Sequence, residues 1–309
     1  MKKSGLLLKL KFSKIGVLMQ KRLRRIKFFY PTTFTYTDYL YARPFNYYES
    51  PYPDIVEIHK KEKQIFTDDK EVLDIDFNID RQFELIKMMQ DINLPQWSVN
   101  KENSVYRYYY ENKWFRKECA EALYYMLRII KPKRIIEIGS GFSTAVMLDT
   151  NENYFNNQME ILSIEPRANR LKELLKPEDN LKIYEKDLQE VSLDFFDILD
   201  NDDILFIDSS HVSKINSDVN YLFFEILPRI KKNVYIHFHD MFYPFTYPSE
   251  WIYQGRAYNE MYLLRAFLMN NKQYSIQLFG DMLQKKCSDK IDIKLRGCGT
   301  GSIWIKKIN

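Results

Sequence analysis

Between residues 134 and 237, five short apolar runs alternate with stretches of helical spacing, and this alternation restricts the fold more than any other feature of the chain. The runs are Arg134–Ile138, Glu160–Ile164, Leu181–Tyr184, Ile204–Ile207 and Val234–His237, and helical stretches begin near Ser143, Asn169, Ser192 and Ser217. A helix carried by Ala120, Leu123, Leu127 and Ile130 precedes them and stops at Pro132. Apolar runs without polar alternation suit strands buried on both faces, which means a parallel sheet covered by helices. The pattern therefore predicts an α/β fold with a doubly wound sheet. A ligand on such a sheet sits beyond the carboxyl ends of the strands, where the winding reverses.

The strand ends are rich in chemistry. The first runs into Glu137-Ile138-Gly139-Ser140-Gly141-Phe142-Ser143-Thr144. Gly139 and Gly141 permit a tight turn and a close approach to the backbone, and the following helix offers free N–H groups. Thr144 stands where a dinucleotide fingerprint would place its third glycine. Glu137, two residues before the turn, would repel a pyrophosphate and attract a cation. The second strand ends at Glu165, an acid placed to accept both hydroxyls of a ribose. The third runs into Asp187, within reach of an adenine amino group or simply part of a turn. The fourth ends in Asp208-Ser209-Ser210-His211, and the fifth in His237-Phe238-His239-Asp240. These last two ends are expected to flank the reversal point. They gather three of the four histidines of the chain, His59 being the fourth.

At 309 residues the chain has room for about two domains. No apolar stretch is long enough to cross a membrane as a helix, which takes roughly 18 residues. Cys119, Cys287 and Cys298 are too few for a disulfide framework, and reduced thiols in a cytosolic protein are expected. Charge is unevenly spread. Residues 1–30 hold ten of the 46 basic residues and no acid, so the rest of the chain carries 36 basic against 42 acidic residues. A mildly acidic body with a basic arm does not suit nucleic acid, which calls for basic residues across the folded face. Ile15, Leu18, Leu23 and Ile26 would share a helical face ringed by Lys14, Lys21, Arg22 and Arg25. The arm is therefore read either as a peripheral contact with an anionic membrane surface or as a solvated tail.

The expected divisions are a basic arm at 1–30, an aromatic-rich accessory region at 31–115 and a sheet domain at 116–309. The accessory region holds Phe34, Tyr36, Tyr39, Tyr41, Phe45, Tyr47, Tyr48 and Tyr52, and later Tyr106, Tyr108, Tyr109, Tyr110, Trp114 and Phe115. These rings either cap an active site or fill the seam against the sheet.

Glu137 to Thr144, Glu165, Asp208 and His239-Asp240 together resemble the successive motifs of class I S-adenosylmethionine-dependent methyltransferases. The likeness is greatest to a bacterial group associated with surface-polysaccharide and glycosyltransferase genes. It runs from about Ile79 through Tyr108–Asn112 and Lys131-Pro132-Lys133 to Gly301–Trp304, and His239–Pro244 and Tyr247–Trp251 are among its most specific parts. The resemblance implies a Rossmann-like seven-stranded sheet with its last strand antiparallel, and methyl transfer from S-adenosylmethionine. The implied cofactor-binding residues are Glu137, Gly139, Ser140, Gly141, Ser143, Thr144, Glu165, Asp187 and Asp208. Asp208-x-x-His211 is also similar to the Asp-x-x-His of macrolide-sugar O-methyltransferases. That likeness implies His211 as base for a saccharide hydroxyl, and Asp208 with Asp240 as ligands of a divalent metal ion. His239 replaces a further acidic ligand there, so the set suits a softer ion better than magnesium. His211, Asp208, His239 and Asp240 are thus the candidate catalytic residues.

Other readings compete at several places. His237 and His239 share one side of a strand and offer either a metal pair or core packing. Gly297, Gly299 and Gly301 precede the short strand Ser302–Ile305 and suit a hairpin turn better than a phosphate loop. Tyr243, Phe245, Tyr247, Glu250, Trp251 and Asn259 lie in a long connection expected, with residues 108–115, to form the acceptor side. A nicotinamide-dependent oxidoreductase would use the same sheet, disfavoured by Glu137 and the absent third glycine. A non-catalytic subunit retaining the cofactor fold and an iron-dependent hydroxylase using the histidines complete the set.

Overall fold

The computed structural model describes residues 48–309 apart from 180, 293, 294 and 296. The basic arm at 1–30 and the aromatic residues from Phe34 to Tyr47 lie outside the described residues. The chain divides into two compact units, Met1–Glu62 and Lys63–Asn309. In the first, helix α1 (Ile55–Lys60) starts at Asp54, whose carboxylate accepts the N–H groups of Val56 and Glu57 at 2.9 and 3.2 Å. Helix α2 (Glu62–Ile65) follows at the division.

The division falls at residue 62, not at the expected 115/116. Leu85, Met89, Trp97, Tyr108 and Phe115 share one hydrophobic core with the sheet strands, and this is why no break occurs there. Helix α3 (Ile79–Gln90) buries Leu85, Ile86 and Met89 and packs on the strand Tyr274–Phe279. Arg107 fastens the aromatic stretch in place. Its guanidinium donates to Asp149 at 2.9 Å, to Glu152 at 2.7 Å and to Asp179, while the N–H groups of Arg107 and Tyr108 also reach the Asp149 carboxylate. Trp97, Tyr108 and Tyr110 meet edge to face, and Tyr108 and Tyr109 meet Phe142 likewise. These rings fill the seam. Trp114 alone among them is largely exposed, under the guanidinium of Arg170 at 3.7 Å.

The sheet has seven strands in the order β3-β2-β1-β4-β5-β7-β6. They are β1 (Arg134–Ile138), β2 (Glu160–Ile164), β3 (Lys182–Tyr184), β4 (Ile204–Ile207), β5 (Tyr235–Met241), β6 (Tyr274–Phe279) and β7 (Gly301–Lys307). β1 to β5 pair in parallel, and β7 runs antiparallel between β5 and β6. The architecture is the Rossmann-like α/β sheet with an antiparallel last strand. The remaining helices are α4 (Lys117–Ile130), α5 (Phe142–Tyr154), α6 (Asn169–Lys172), α7 (Asp218–Tyr221), α8 (Ser249–Tyr253), α9 (Glu260–Leu268) and α10 (Gly280–Cys287). Every residue of β4 is buried, as is every residue of β1 after Arg134, which accounts for their unbroken apolar character.

The winding reverses between β1 and β4, so β4 and β5 do not flank the reversal as expected from sequence. β4 borders it and β5 lies one strand further out. Gly297 and Gly299 sit at positive φ in the turn that leads into β7, where the N–H of Thr300 closes on Gly297. They form a turn but not the expected hairpin, since α10 separates β6 from β7 along the chain. Among the described residues no helix is long and apolar enough to cross a membrane.

Candidate active site

The site is built at the carboxyl ends of β1, β2 and β4. Leaving β1, Gly139 turns at φ +76°, and a Cβ there would lie 2.0 Å from the carbonyl oxygen of Asp208. Only glycine fits such an approach. Asp208 in turn donates its N–H to Ile138 at 2.8 Å, which seals the end of β1 to the end of β4. A cleft of about 480 Å³ opens above this junction. Gly139, Glu165, Asp187, Leu188, Asp208 and Lys214 are among its lining.

Glu165 lies in the cleft with both carboxylate oxygens engaged by the backbone: Ser140 N–H at 3.1 Å and Arg167 N–H at 2.7 Å. Each oxygen retains a second lone pair for a ligand hydroxyl. The Oγ of Ser140 is buried in the glycine turn without a hydrogen-bond partner, a polar atom that a ligand would satisfy. These residues fit the nucleoside and amino-acid parts of S-adenosylmethionine.

Glu137 is not where the sequence reading put it. Its side chain is fully buried, and its two oxygens meet the hydroxyls of Ser143 and Thr144 at 2.6 Å each. Thr144 also accepts the N–H of Gly141 at 3.1 Å. Burial pushes the Glu137 pKa up to about 8 despite the two hydroxyls. Burial thus favours its neutral form, and the side chain ties β1 to the start of α5. It is not among the residues that line the cleft, and its charge gives no ground for excluding a nicotinamide cofactor. Ser143 and Thr144 likewise serve this buried knot.

Asp208, unlike Glu137, does border the cleft. Burial opposes its charge, but the imidazoles of His239 and His211 outweigh it and hold the pKa down to about 2. Asp208 is also shared with a second cluster. His211 Nε2 lies 3.4 Å from Asp208 and 3.3 Å from Asp240, while its Nδ1 meets Glu260 at 2.8 Å. Burial works against a charged His211, yet the hydrogen bonds to Asp208 and Glu260 raise its pKa well above the usual histidine value.

Two local features assemble this cluster. β5 is irregular between His239 and Met241, and Asp240 adopts φ +58°. The irregularity breaks the alternation of the strand, so that adjacent His239 and Asp240 approach each other at 3.5 Å. His211 is itself at φ +60° and is only 6% exposed. His239 packs against Phe115, with its Nδ1 buried and unpartnered. His237 is stacked on Phe206 at 3.9 Å and packed against Trp304, and burial holds it neutral. It is a core residue. Among the described residues, the acidic and imidazole groups that converge as a metal set are Asp208, His211 and Asp240, with donor atoms within 4.8 Å of one another. His239 is outside that set.

Glu260 escaped the sequence reading. It lies 49 residues from His211, at the start of α9, where an acid is ordinary. The long connection is also only partly as expected. Tyr243, Phe245 and Tyr247 are buried in the core, whereas Trp251 and Tyr258 remain half-buried, with the Tyr258 ring 4.9 Å from His211 and Trp251 5.8 Å from Tyr258. Cys119, Cys287 and Cys298 are all free.

Residues 136–241 match the family model described as "Methyltransferase domain". Over 162 residues the chain is 32% identical to a protein of Archaeoglobus fulgidus named "Uncharacterized protein", covering 51% of this chain and 73% of that one. Similarity to solved structures is lower. The S-adenosylhomocysteine-bound methyltransferase PaMTH1 of Podospora anserina has a TM-score of 0.42 at 15% identity, over 83% of this chain and 98% of that one. The O-methyltransferase TomG of Streptomyces achromogenes has a TM-score of 0.38 at 13% identity, over 82% and 96%. The chain belongs to the same family as the Archaeoglobus fulgidus protein, and residues 136–241, which run from β1 to the end of β5, match a methyltransferase domain.

Proposed function

We propose that this domain methylates a hydroxyl of a saccharide or similar polyhydroxylated acceptor, with His211 as the base. The observation that carries the reading is the imidazole itself, anchored at Nδ1 by Glu260 and turned at Nε2 toward Asp208 on the cleft wall. When bound, S-adenosylmethionine supplies a methyl group made electrophilic by its sulfonium charge. Gly139 lets the ligand approach the backbone, Glu165 accepts the ribose hydroxyls, and Asp187 with Leu188 borders the base. Asp208 and Asp240 offer negative charge to a cation. A sugar hydroxyl is too weakly acidic to attack unaided, and a positioned base is worth about 10²–10⁴ in rate. The half-buried ring of Tyr258 beside His211, with Trp251 next to it, supports a saccharide, whose faces stack on such rings.

The test is binding of labelled S-adenosylmethionine, followed by transfer to a panel of methyl glycosides. His211→Asn should keep cofactor binding and lose transfer by about 10²-fold or more. Unchanged transfer would remove the base reading, and absent cofactor binding would remove the whole scheme.

A second reading is supported by the convergence of Asp208, His211 and Asp240. A divalent ion held there would polarise the acceptor oxygen as a Lewis acid. It would take His211 Nε2 as its third donor, a set that suits manganese, iron or zinc better than magnesium. Metal analysis of the purified protein, and transfer before and after chelation, separate the two. The surface-polysaccharide association and a membrane contact through residues 1–30 belong to the same proposal. Flotation of the full chain with anionic vesicles tests the latter.

A further inference from the structure

The connection from Phe242 to Asn259 carries one acid, Glu250, and one base, Arg256. Helix α8 closes just before that base. Gly255 donates its N–H to the Ile252 carbonyl at 2.9 Å, and Arg256 donates its own to the Trp251 carbonyl at 3.0 Å. Gly255 stands at φ +79°, the left-handed backbone that this paired closure requires. A helix end of this kind usually folds an apolar side chain back over the last turn. Here it folds back a guanidinium, 4.4 Å from the centre of the Trp251 ring. Trp251 is itself wedged among rings, edge to face with Phe242 at 5.3 Å and Tyr258 at 5.8 Å, and stacked with Tyr247 at 6.2 Å. The guanidinium therefore rests on a fixed platform.

The platform leaves the edge of the group open. An arginine on an aromatic face is held through its plane, and its N–H donors point outward. Arg256 is half-buried, yet among the described residues its guanidinium meets rings and no carboxylate, Glu250 included. Arg107 and Arg134, by contrast, spend their donors on Asp149 and Asp203. A partly desolvated cation with unused donors is costly unless a ligand takes them.

Position and charge say which ligand. The guanidinium carbon lies 5.8 Å from the centre of the Tyr258 ring, and that ring lies 4.9 Å from the ring of His211. One aromatic side chain thus links the open arginine to the proposed acceptor side. The planar fork of a guanidinium matches two oxygens of a single anionic group. We infer that the acceptor carries a carboxylate or phosphate set apart from the hydroxyl that is methylated, and that Arg256 reads it. A uronate and a sugar phosphate both have this chemistry. The inference rests on the reading of the domain as a saccharide methyltransferase and narrows its substrate class from any polyhydroxylated acceptor to an anionic one. The anion held at Trp251 then fixes which way round the sugar lies against Tyr258.

Three acceptors test this with labelled S-adenosylmethionine: a methyl glucoside, its 6-phosphate and the corresponding methyl glucuronide. In the wild-type chain kcat/KM for at least one charged acceptor should exceed that for the neutral one by about tenfold or more, the worth of a hydrogen bond between charged groups. Whichever charged acceptor gives the larger ratio identifies the group as carboxylate or phosphate. Arg256→Met keeps an apolar stem on Trp251 and removes the charge, so the ratio of charged to neutral should fall to about one. Arg256→Lys keeps the charge without the fork and should lie between. Each ratio is taken within one protein, so a general loss of folded enzyme cancels. If Arg256→Met does not fold, the wild-type and Arg256→Lys ratios still decide. A wild-type ratio of one or less, or a preference for the charged acceptors that survives in Arg256→Met, would overturn the inference and leave the saccharide reading standing. Transfer to none of the three removes the saccharide reading, and the inference falls with it.

Discussion

The α-carbon of Gly139 stands against the carbonyl oxygen of Asp208 so closely that an added methyl group would lie 2.0 Å from it. This contact joins the end of β1 to the end of β4 and so sets the floor of the cleft. Gly139→Ala must push the two strand ends apart and also holds a non-glycine residue at φ +76°. We expect cofactor affinity to fall about 10²-fold, as displacement of a binding surface by an ångström does. Calorimetric titration with S-adenosylhomocysteine reads the loss, and near wild-type affinity would show that the floor yields without cost.

Glu137 couples the same turn to pH. In the unfolded chain this carboxyl ionises near 4.5, whereas in the fold it does so at about 8. Between those values the unfolded chain has released a proton that the folded chain keeps. Stability therefore falls as pH rises from about 4.5 to about 8, and is level above. Glu137→Gln cannot ionise and still offers polar atoms to Ser143 and Thr144. Its melting temperature should decline less steeply across that window, so that the variant gains on the wild type toward the alkaline end. Parallel curves for the two proteins would show that the carboxyl is not the source of the slope.

Glu165 receives the N–H groups of Ser140 and Arg167, so it shapes the turn on either side of the cleft as well as facing the ligand. Hydrogen bonds to a charged group contribute about 1.5–3 kcal/mol each, and 1.4 kcal/mol is tenfold in affinity. Glu165→Ala should weaken S-adenosylmethionine binding by about 10- to 100-fold, with Glu165→Gln between it and the wild type. Equal affinity in all three proteins would remove Glu165 from the cofactor site.

Arg107 is a matter of stability, not chemistry. Its removal leaves Asp149, which is 2% exposed, with a buried carboxylate stripped of its guanidinium. Breaking a buried pair from one side costs about 3–5 kcal/mol. Arg107→Ala should lose that much in denaturant unfolding, and adding Asp149→Asn should restore part of it. An unfolding midpoint unmoved by Arg107→Ala would mean that the aromatic stretch is held by its rings alone.

Much of the sheet could be read from the chain. β1, β2 and β4 occupy the very residues expected, because strands buried on both faces leave unbroken runs of Ile, Leu and Phe that no exposed segment would carry. The glycine turn and Glu165 were legible for a similar reason: each is set by its own short stretch of backbone. β5 was expected to end at His237 and extends to Met241, since an irregular strand end does not follow the two-residue period.

The sequence by itself determined the type of sheet, the position of the cleft along its strand ends and the residue types gathered there. Only the tertiary structure decided which acids face the cleft. It buried Glu137 as a knot with Ser143 and Thr144, turned Asp240 through a left-handed backbone where its strand is irregular, and brought Glu260 to His211 across 49 residues. Local patterns record whether a segment is buried and how it repeats, but whether a carboxyl is charged depends on water and partners, and those are supplied by distant parts of the chain.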